Sequence, residues 1–309
     1  MANHAKPAGR RKATTRKREP ATTQHFTELQ LPMVPSGKQN GDGSLIIIGG
    51  REDKNGDRRI LAEVCSRIAG SKLVVATIAT NEPDDVWTEY RGLFRELGVP
   101  KLEHLHIQTR GDAFAADNLA LLEGAGAVFF TGGDQLRITS RIGGAPICDR
   151  IREIFRRGGT IVGTSAGASA MSETMLVSGP SDESHKIDAV QMAPGLGFIS
   201  GVIIDQHFAA RGRLGRLVGA VAQNPRLLGV GIDEDTAVIA EGHRLSVLGS
   251  GAVYVVDGMR ESYTNVSEGQ QDEVMSVFDL RLHILSDRDE YNLDTRRPAR
   301  GDRLAGKPR

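Results

Sequence analysis

A serine framed by glycines, Gly163-Thr164-Ser165-Ala166-Gly167, follows the apolar run Thr160-Ile161-Val162. A hydroxyl nucleophile at the end of a buried strand needs a sharp, strained turn, and small neighbours give that turn room. Residues 166–171 are small and helix-compatible, so their first N–H groups and positive dipole end would face an oxyanion developing beside Ser165. The Ala166 N–H is the natural first donor. Gly132, in Gly132-Gly133-Asp134-Gln135, offers a second, because a glycine pair closing a strand lets backbone approach a ligand. Both patterns have plainer readings. The first could be a glycine-rich helix start holding a phosphate, the second a tight turn.

A serine hydroxyl needs a general base, usually histidine. Of the eight histidines, His207 stands apart, because it follows Ile203-Ile204-Asp205-Gln206 at a strand end and opens a charged segment. That segment carries Arg211, Arg213 and Arg216 around Gly212 and Gly215. Two glycines among arginines make a poor helix start and a good loop. Guanidinium groups there suit a ligand bearing carboxylates, which Arg binds bidentately. Two acids could orient the histidine. Glu234, in Gly231-Ile232-Asp233-Glu234-Asp235, is preferred, and Glu183, in the polar loop 178–186, is the second choice. The order Ser165, Glu183, His207 would match that of α/β-hydrolases, yet no HGGG-type segment accompanies it. Gln135 is a candidate polar contact to substrate.

The elements that must position these groups follow from the apolar runs. Residues 45–48, 73–78, 104–108, 127–130 and 160–163 read as strands, and 59–69 and 86–97 as helices. Most of the strand runs are apolar throughout, as expected for strands covered on both faces. Strand and helix in alternation predict a three-layer α/β/α sandwich with a mostly parallel sheet, and chemistry at the carboxyl ends of its strands. The runs at 202–204, 227–232, 237–239 and 252–256 lie closer together and predict hairpins or edge additions.

The chain has 309 residues and a formal net charge of zero, so no global field points to nucleic acid. Seven Lys/Arg against the single acid Glu19 occupy the first twenty residues. Residues 1–43 read as a basic flexible arm, 44–294 as one catalytic domain and 295–309 as a basic tail that frays. The arm's cluster from Arg10 to Arg18 allows a rival reading as a nucleic-acid tether, with steeply salt-dependent affinity. Cys65 and Cys148 lack metal or disulfide spacing, which predicts two thiols in a reducing cytoplasm. No apolar run reaches the length of a membrane span or a signal-peptide core.

Taken together, the segments resemble the family of serine peptidases that contains cyanophycinase and aspartyl dipeptidase. The resemblance rests on Ile47-Ile48-Gly49-Gly50 with Glu52-Asp53-Lys54, Phe130-Thr131-Gly132-Gly133-Asp134-Gln135 and Gly163-Thr164-Ser165-Ala166-Gly167-Ala168. It continues with Asp205-Gln206-His207-Phe208 and its arginines, and with Gly231-Ile232-Asp233-Glu234-Asp235-Thr236. It covers residues 45–294. It implies a sheet like that of class I glutamine amidotransferases, a homodimer, and no metal or other cofactor. It further implies hydrolysis of cyanophycin, a poly-aspartate carrying arginine on each β-carboxyl, to β-aspartyl-arginine dipeptide. By the same resemblance Ser165 is the nucleophile, His207 the base, and Gln135, Asp205, Gln206, Arg211, Arg213 and Arg216 line the pocket. The rivals are an α-aspartyl or isoaspartyl dipeptidase of the same superfamily and a catalytically silent carboxylate-binding protein.

Overall fold

Alternate side chains along a strand point to opposite faces, and here both faces are apolar. In the first strand, Leu45 and Ile47 enter one hydrophobic cluster while Ile46 and Ile48 enter another. A computed structural model describes residues 1, 43–68, 70–178, 186–187, 190–270 and 273–301. Residues 1–35 and 36–309 are separate units, and of the first only Met1 is described. The expected arm over 1–43 thus lies outside the described residues except Met1 and Gly43.

The elements run β1 (Ser44–Ile48), α1 (Arg59–Ile68), β2 (Lys72–Ala76), α2 (Pro83–Glu96), β3 (Lys101–Leu105), α3 (Ala116–Leu121) and β4 (Ala125–Phe130). They continue with α4 (Gln135–Ile142), α5 (Pro146–Arg156), β5 (Thr160–Thr164), α6 (Ala166–Ser169), β6 (Thr174–Ser178), β7 (Gln191–Pro194), β8 (Val202–Gln206) and α7 (Leu214–Gln223). The last are β9 (Leu228–Ile232), β10 (Thr236–Glu241), β11 (Arg244–Gly249), β12 (Val253–Asp257), β13 (Tyr263–Thr264), β14 (Val277–Phe278), β15 (Arg281–Leu285), β16 (Glu290–Asn292) and β17 (Arg297–Ala299).

The main sheet has the order β17-β16-β11-β10-β1-β5-β4-β2-β3. Its five strands from β1 to β3 are parallel, and β10, β11, β16 and β17 extend it as an antiparallel wing. Helices α1 and α2 cover one face through Ile60, Leu61, Val64, Tyr90 and Phe94. On the other face α4 and α5 pack Ile138, Ile142, Ile147 and Ile151. This is the expected α/β/α layering. Pro83 opens α2 three residues before the expected start, where its missing N–H has no helical partner to lose.

Three details differ from the expectations. The third strand is 101–105, not 104–108; it is an edge strand, and its charged Lys101 and Glu103 hid it from an apolar count. The runs around residues 203, 230 and 255 do not join the main sheet. They form a second sheet of order β15-β12-β9-β8, whose Ile204, Val230 and Val255 share a core with Val238 and Val247 of the wing. Its other face packs on α7 through Ile203, Leu217, Val221 and Val256. Finally, Arg297–Ala299, expected to fray, pairs antiparallel with β16. Among the described residues no helix is long and apolar enough to cross a membrane.

Candidate active site

Parallel pairing places the carboxyl ends of neighbouring strands together. Register in the main sheet sets Ile48 beside Thr164, and Phe130 beside Gly163, so the loops after β1, β4 and β5 meet. In the second sheet β8 and β9 are also parallel, with Gln206 beside Ile232, so His207 and Glu234 leave the same edge. The two sheets dock with these edges adjacent: the His207 N–H donates to the Gly49 carbonyl at 2.8 Å, and the Asp235 N–H to the Gly50 carbonyl at 2.9 Å.

Ser165 stands at φ +53°, ψ −111°, a region non-glycine residues rarely occupy. Such strain persists only where the surroundings over-determine it. Here the Ser165 N–H donates to the Ile48 carbonyl at 3.0 Å, and its own carbonyl takes the Ala168 and Ser169 N–H groups at 3.0 and 3.1 Å. The tight turn also needs bare α-carbons, because a Cβ on Gly163 would strike the Gly167 carbonyl. From this turn the Ser165 hydroxyl reaches His207 Nε2 at 2.9 Å, and His207 Nδ1 meets Glu234 Oε1 at 2.7 Å. Glu234 Oε2 lies 3.4 Å from the exposed Arg51 guanidinium.

The electrostatics suit a base. Burial, the largest influence, pulls the His207 pKa below its ordinary 6.5; the Glu234 hydrogen bond opposes it, and Arg211 adds to it. The imidazole is therefore neutral at pH 7 and able to take a proton. Its hydrogen bond holds the Glu234 carboxyl below the ordinary carboxylate value, with Arg51 assisting, so Glu234 stays ionised. Glu183, the second choice for this position, lies outside the described residues.

Gly132 faces the serine, since a Cβ placed there would lie 3.4 Å from Ser165 Cβ and 3.8 Å from its Oγ. Among the described residues neither the Gly132 nor the Ala166 N–H donates to a backbone carbonyl. The helix behind Ser165 is a single turn, Ala166–Ser169, so the expected helix-dipole contribution gives way to the Ala166 N–H alone.

The basic segment divides. Arg211 is exposed beside His207, as a carboxylate reader should be. Arg213 and Arg216 are not: they are 8% and 6% exposed and turn inward onto Asp205, which is fully buried. Arg216 grips that carboxylate with Nε at 2.8 Å and Nη2 at 2.5 Å, and Arg213 Nη1 approaches at 3.2 Å. Desolvation lowers the Arg213 pKa to about 10, against the pull of Asp205. Asp205, Arg213 and Arg216, expected to line the substrate pocket, are instead committed to one another in this structure. Gln135 is committed too, its Nε2 donating to the Leu176 and Val177 carbonyls at 2.8 and 3.3 Å. Gln206 is 6% exposed, and its Oε1 has no partner among the described residues.

The sequence patterns assign the loop after β1 no part in the site, yet it touches each of the segments that carry Ser165, His207 and Glu234. Beyond the contacts above, the Asp53 N–H donates to Asp235 Oδ1 at 2.8 Å. Gly50, at φ +101°, lies flat against the His207 ring, where a side-chain carbon would overlap the imidazole. The glycine pair ending β1 was the one signal, and nothing in the sequence paired it with a histidine 157 positions away.

A strained strand-to-turn serine, a neutral imidazole and an ionised carboxylate on an α/β/α sandwich define a serine-type hydrolase. Residues 45–248 match peptidase family S51, and the chain belongs to that family of serine-type peptidases, whose sheet is of the class I glutamine amidotransferase type. It is 42% identical over 257 residues to a cyanophycinase of Synechococcus elongatus, covering 82% of this chain and 80% of the relative. A cyanophycinase of Geminocystis herdmanii is 39% identical over 268 residues, covering 85% and 98%. Among solved structures, a peptidase from an acI-B1 Actinobacterium shares the fold, with a TM-score of 0.61 at 22% identity over 81% of this chain and 97% of the other.

Proposed function

We propose that this peptidase hydrolyses cyanophycin, releasing β-aspartyl-arginine dipeptides through an acyl-enzyme on Ser165. The observation that carries the reading is the hydrogen-bonded chain Ser165–His207–Glu234 on a strained turn; the similarity to cyanophycinases over four-fifths of the chain supports the substrate.

His207 Nε2 takes the hydroxyl proton as Ser165 Oγ attacks a backbone aspartyl carbonyl, while Glu234 stabilises the imidazolium. The product keeps arginine on its β-carboxyl, so the bond broken is the main-chain amide. The Gly132 and Ala166 N–H groups receive the oxyanion. Collapse expels the amine, which takes the proton from His207; water, deprotonated by the same imidazole, then frees the acyl group. Arg211 and Arg51, the exposed guanidinium groups flanking the His207–Glu234 pair, suit the substrate's carboxylates.

The deciding experiment incubates the protein with purified cyanophycin or with short α- and β-aspartyl dipeptides, and identifies products by mass. β-Aspartyl-arginine from the polymer supports the proposal. Cleavage of dipeptides alone would make the chain an aspartyl dipeptidase, and tight polymer binding without release would make it a silent binder. A cytoplasmic setting agrees with two unpaired cysteines, Cys65 and the buried Cys148. The homodimer belongs to the same proposal, and light scattering at working concentration tests it; a monomer mass would remove it.

A further inference from the structure

Beneath the nucleophile turn lies a carboxylate that the mechanism above does not use. Glu52 is 4% exposed, inside a protein where acids are rarely buried without purpose. Its Oε2 accepts from the Thr164 hydroxyl at 2.7 Å, and its Oε1 accepts from the Tyr90 hydroxyl on α2. Thr164 is the last residue of β5 and the immediate neighbour of Ser165. Burial first, and then the Glu52 charge, push the Tyr90 pKa well above its ordinary value, so that phenol remains a donor. Lys54 lies over the Tyr90 ring at 4.5 Å and pairs with Glu89 at 2.7 Å, closing the network toward solvent.

We infer that Glu52 is a positioning residue for the nucleophile, anchoring Thr164 so that Ser165 keeps the strained backbone that aims its hydroxyl at His207. This rests on the reading of Ser165 as nucleophile. Strain at φ +53° relaxes unless something opposes it. The Ser165 N–H and carbonyl are held by backbone, which fixes the turn from above and behind. The Thr164 hydroxyl is the only side-chain tether among the described residues from the residue before the turn to the rigid loop after β1. That loop also carries the carbonyls that hold His207 and Asp235. Glu52 thus ties the nucleophile's strand end to the segment that locates its base. A purely architectural Glu52 would do something else: it would pin α2 to the sheet through Tyr90, with stability as its only consequence.

Glu52→Gln keeps the volume but replaces one acceptor oxygen by an NH₂ group, leaving one of two buried hydroxyl donors unmatched. Thr164→Val removes the hydroxyl on the serine side, Thr164→Ser restores it, and Tyr90→Phe cuts only the helix side. Each variant is assayed for cyanophycin hydrolysis and for the rate at which a fluorophosphonate labels Ser165, with thermal unfolding in parallel and Ser165→Ala as reference. A hydroxyl misplaced by about 1 Å costs about 100-fold. The expected result is a ~10- to 100-fold fall in kcat and in labelling rate for Glu52→Gln and Thr164→Val, with KM unchanged. Thr164→Ser stays near wild type, Tyr90→Phe loses less, and Glu52→Gln/Thr164→Val falls no further than the worse single variant. Wild-type kcat and labelling in folded Thr164→Val, or independent losses in the double variant, overturn the inference while an inactive Ser165→Ala leaves the triad standing. An active or still-labelled Ser165→Ala would overturn both.

Discussion

Two charged networks meet in the segment 205–216 and behave in opposite ways. His207, with Glu234 and Ser165, forms a chain that ends at a half-buried hydroxyl, held by backbone at positive φ in both Ser165 and His207. Asp205, Arg213 and Arg216 form an inward-facing cluster in which both guanidinium groups meet the carboxylate and no residue is more than 8% exposed. The first keeps a proton-accepting group in a strained, reachable place. The second fixes the segment that carries it, since a buried carboxylate with two guanidinium partners tolerates few rearrangements. Charged residues next to His207 are therefore divided by direction, and Arg211 is the arginine of the three that remains outside.

Variants at the two networks should separate them. Ser165→Ala should lower kcat by about a million-fold at unchanged stability, as loss of a serine nucleophile does. Glu234→Gln should cost about ten-thousand-fold, because the amide cannot hold the imidazole in its working tautomer and charge. Gly50→Ala, which pushes a methyl group into the His207 ring, should cost about 100-fold in kcat while the imidazole shifts. In the inward-facing cluster the loss should appear in denaturant titration instead. Asp205→Asn removes the negative charge that faces two buried guanidinium groups and should cost about 3–5 kcal/mol of folding stability. A fully stable Asp205→Asn enzyme with no activity would break the comparison and return Asp205 to the substrate.

The smallest effect sharpens it. Burial holds the His207 pKa below 6.5, so activity should be full at neutral pH and fall only as the imidazole protonates at lower pH. Arg211 contributes to that lowering, so Arg211→Gln should move the acid limb of kcat/KM upward. It should also raise KM roughly tenfold by removing a charged hydrogen-bond donor. Arg213→Gln, whose charge also lowers the His207 pKa but by less, should move the acid limb less and leave KM unchanged in the molecules that remain folded.

Much of this was legible in the residues because local chemistry left local marks. The serine turn was readable from small residues after an apolar run, and His207 and Glu234 from acids and bases at strand ends. The layering followed from runs apolar on both faces, as in Leu45 to Ile48. What escaped depends on pairing across long separations. Nothing in the runs near residues 203 and 230 says that they leave the main sheet, because a strand covered on both faces reads the same in either sheet. Arg213 and Arg216 looked like ligands because a loop and a buried ion cluster use the same residue types. Arg297–Ala299 escaped because an edge strand beside solvent needs no apolar pattern.

The central claim is that the Ser165 oxygen performs the attack, and covalent trapping tests it most directly. After treatment with a fluorophosphonate to complete loss of activity, peptide mapping by mass should find one adduct per chain, on Ser165, with labelling abolished in His207→Ala. Full inactivation with the label elsewhere, or undiminished hydrolysis with Ser165 fully labelled, would contradict the account.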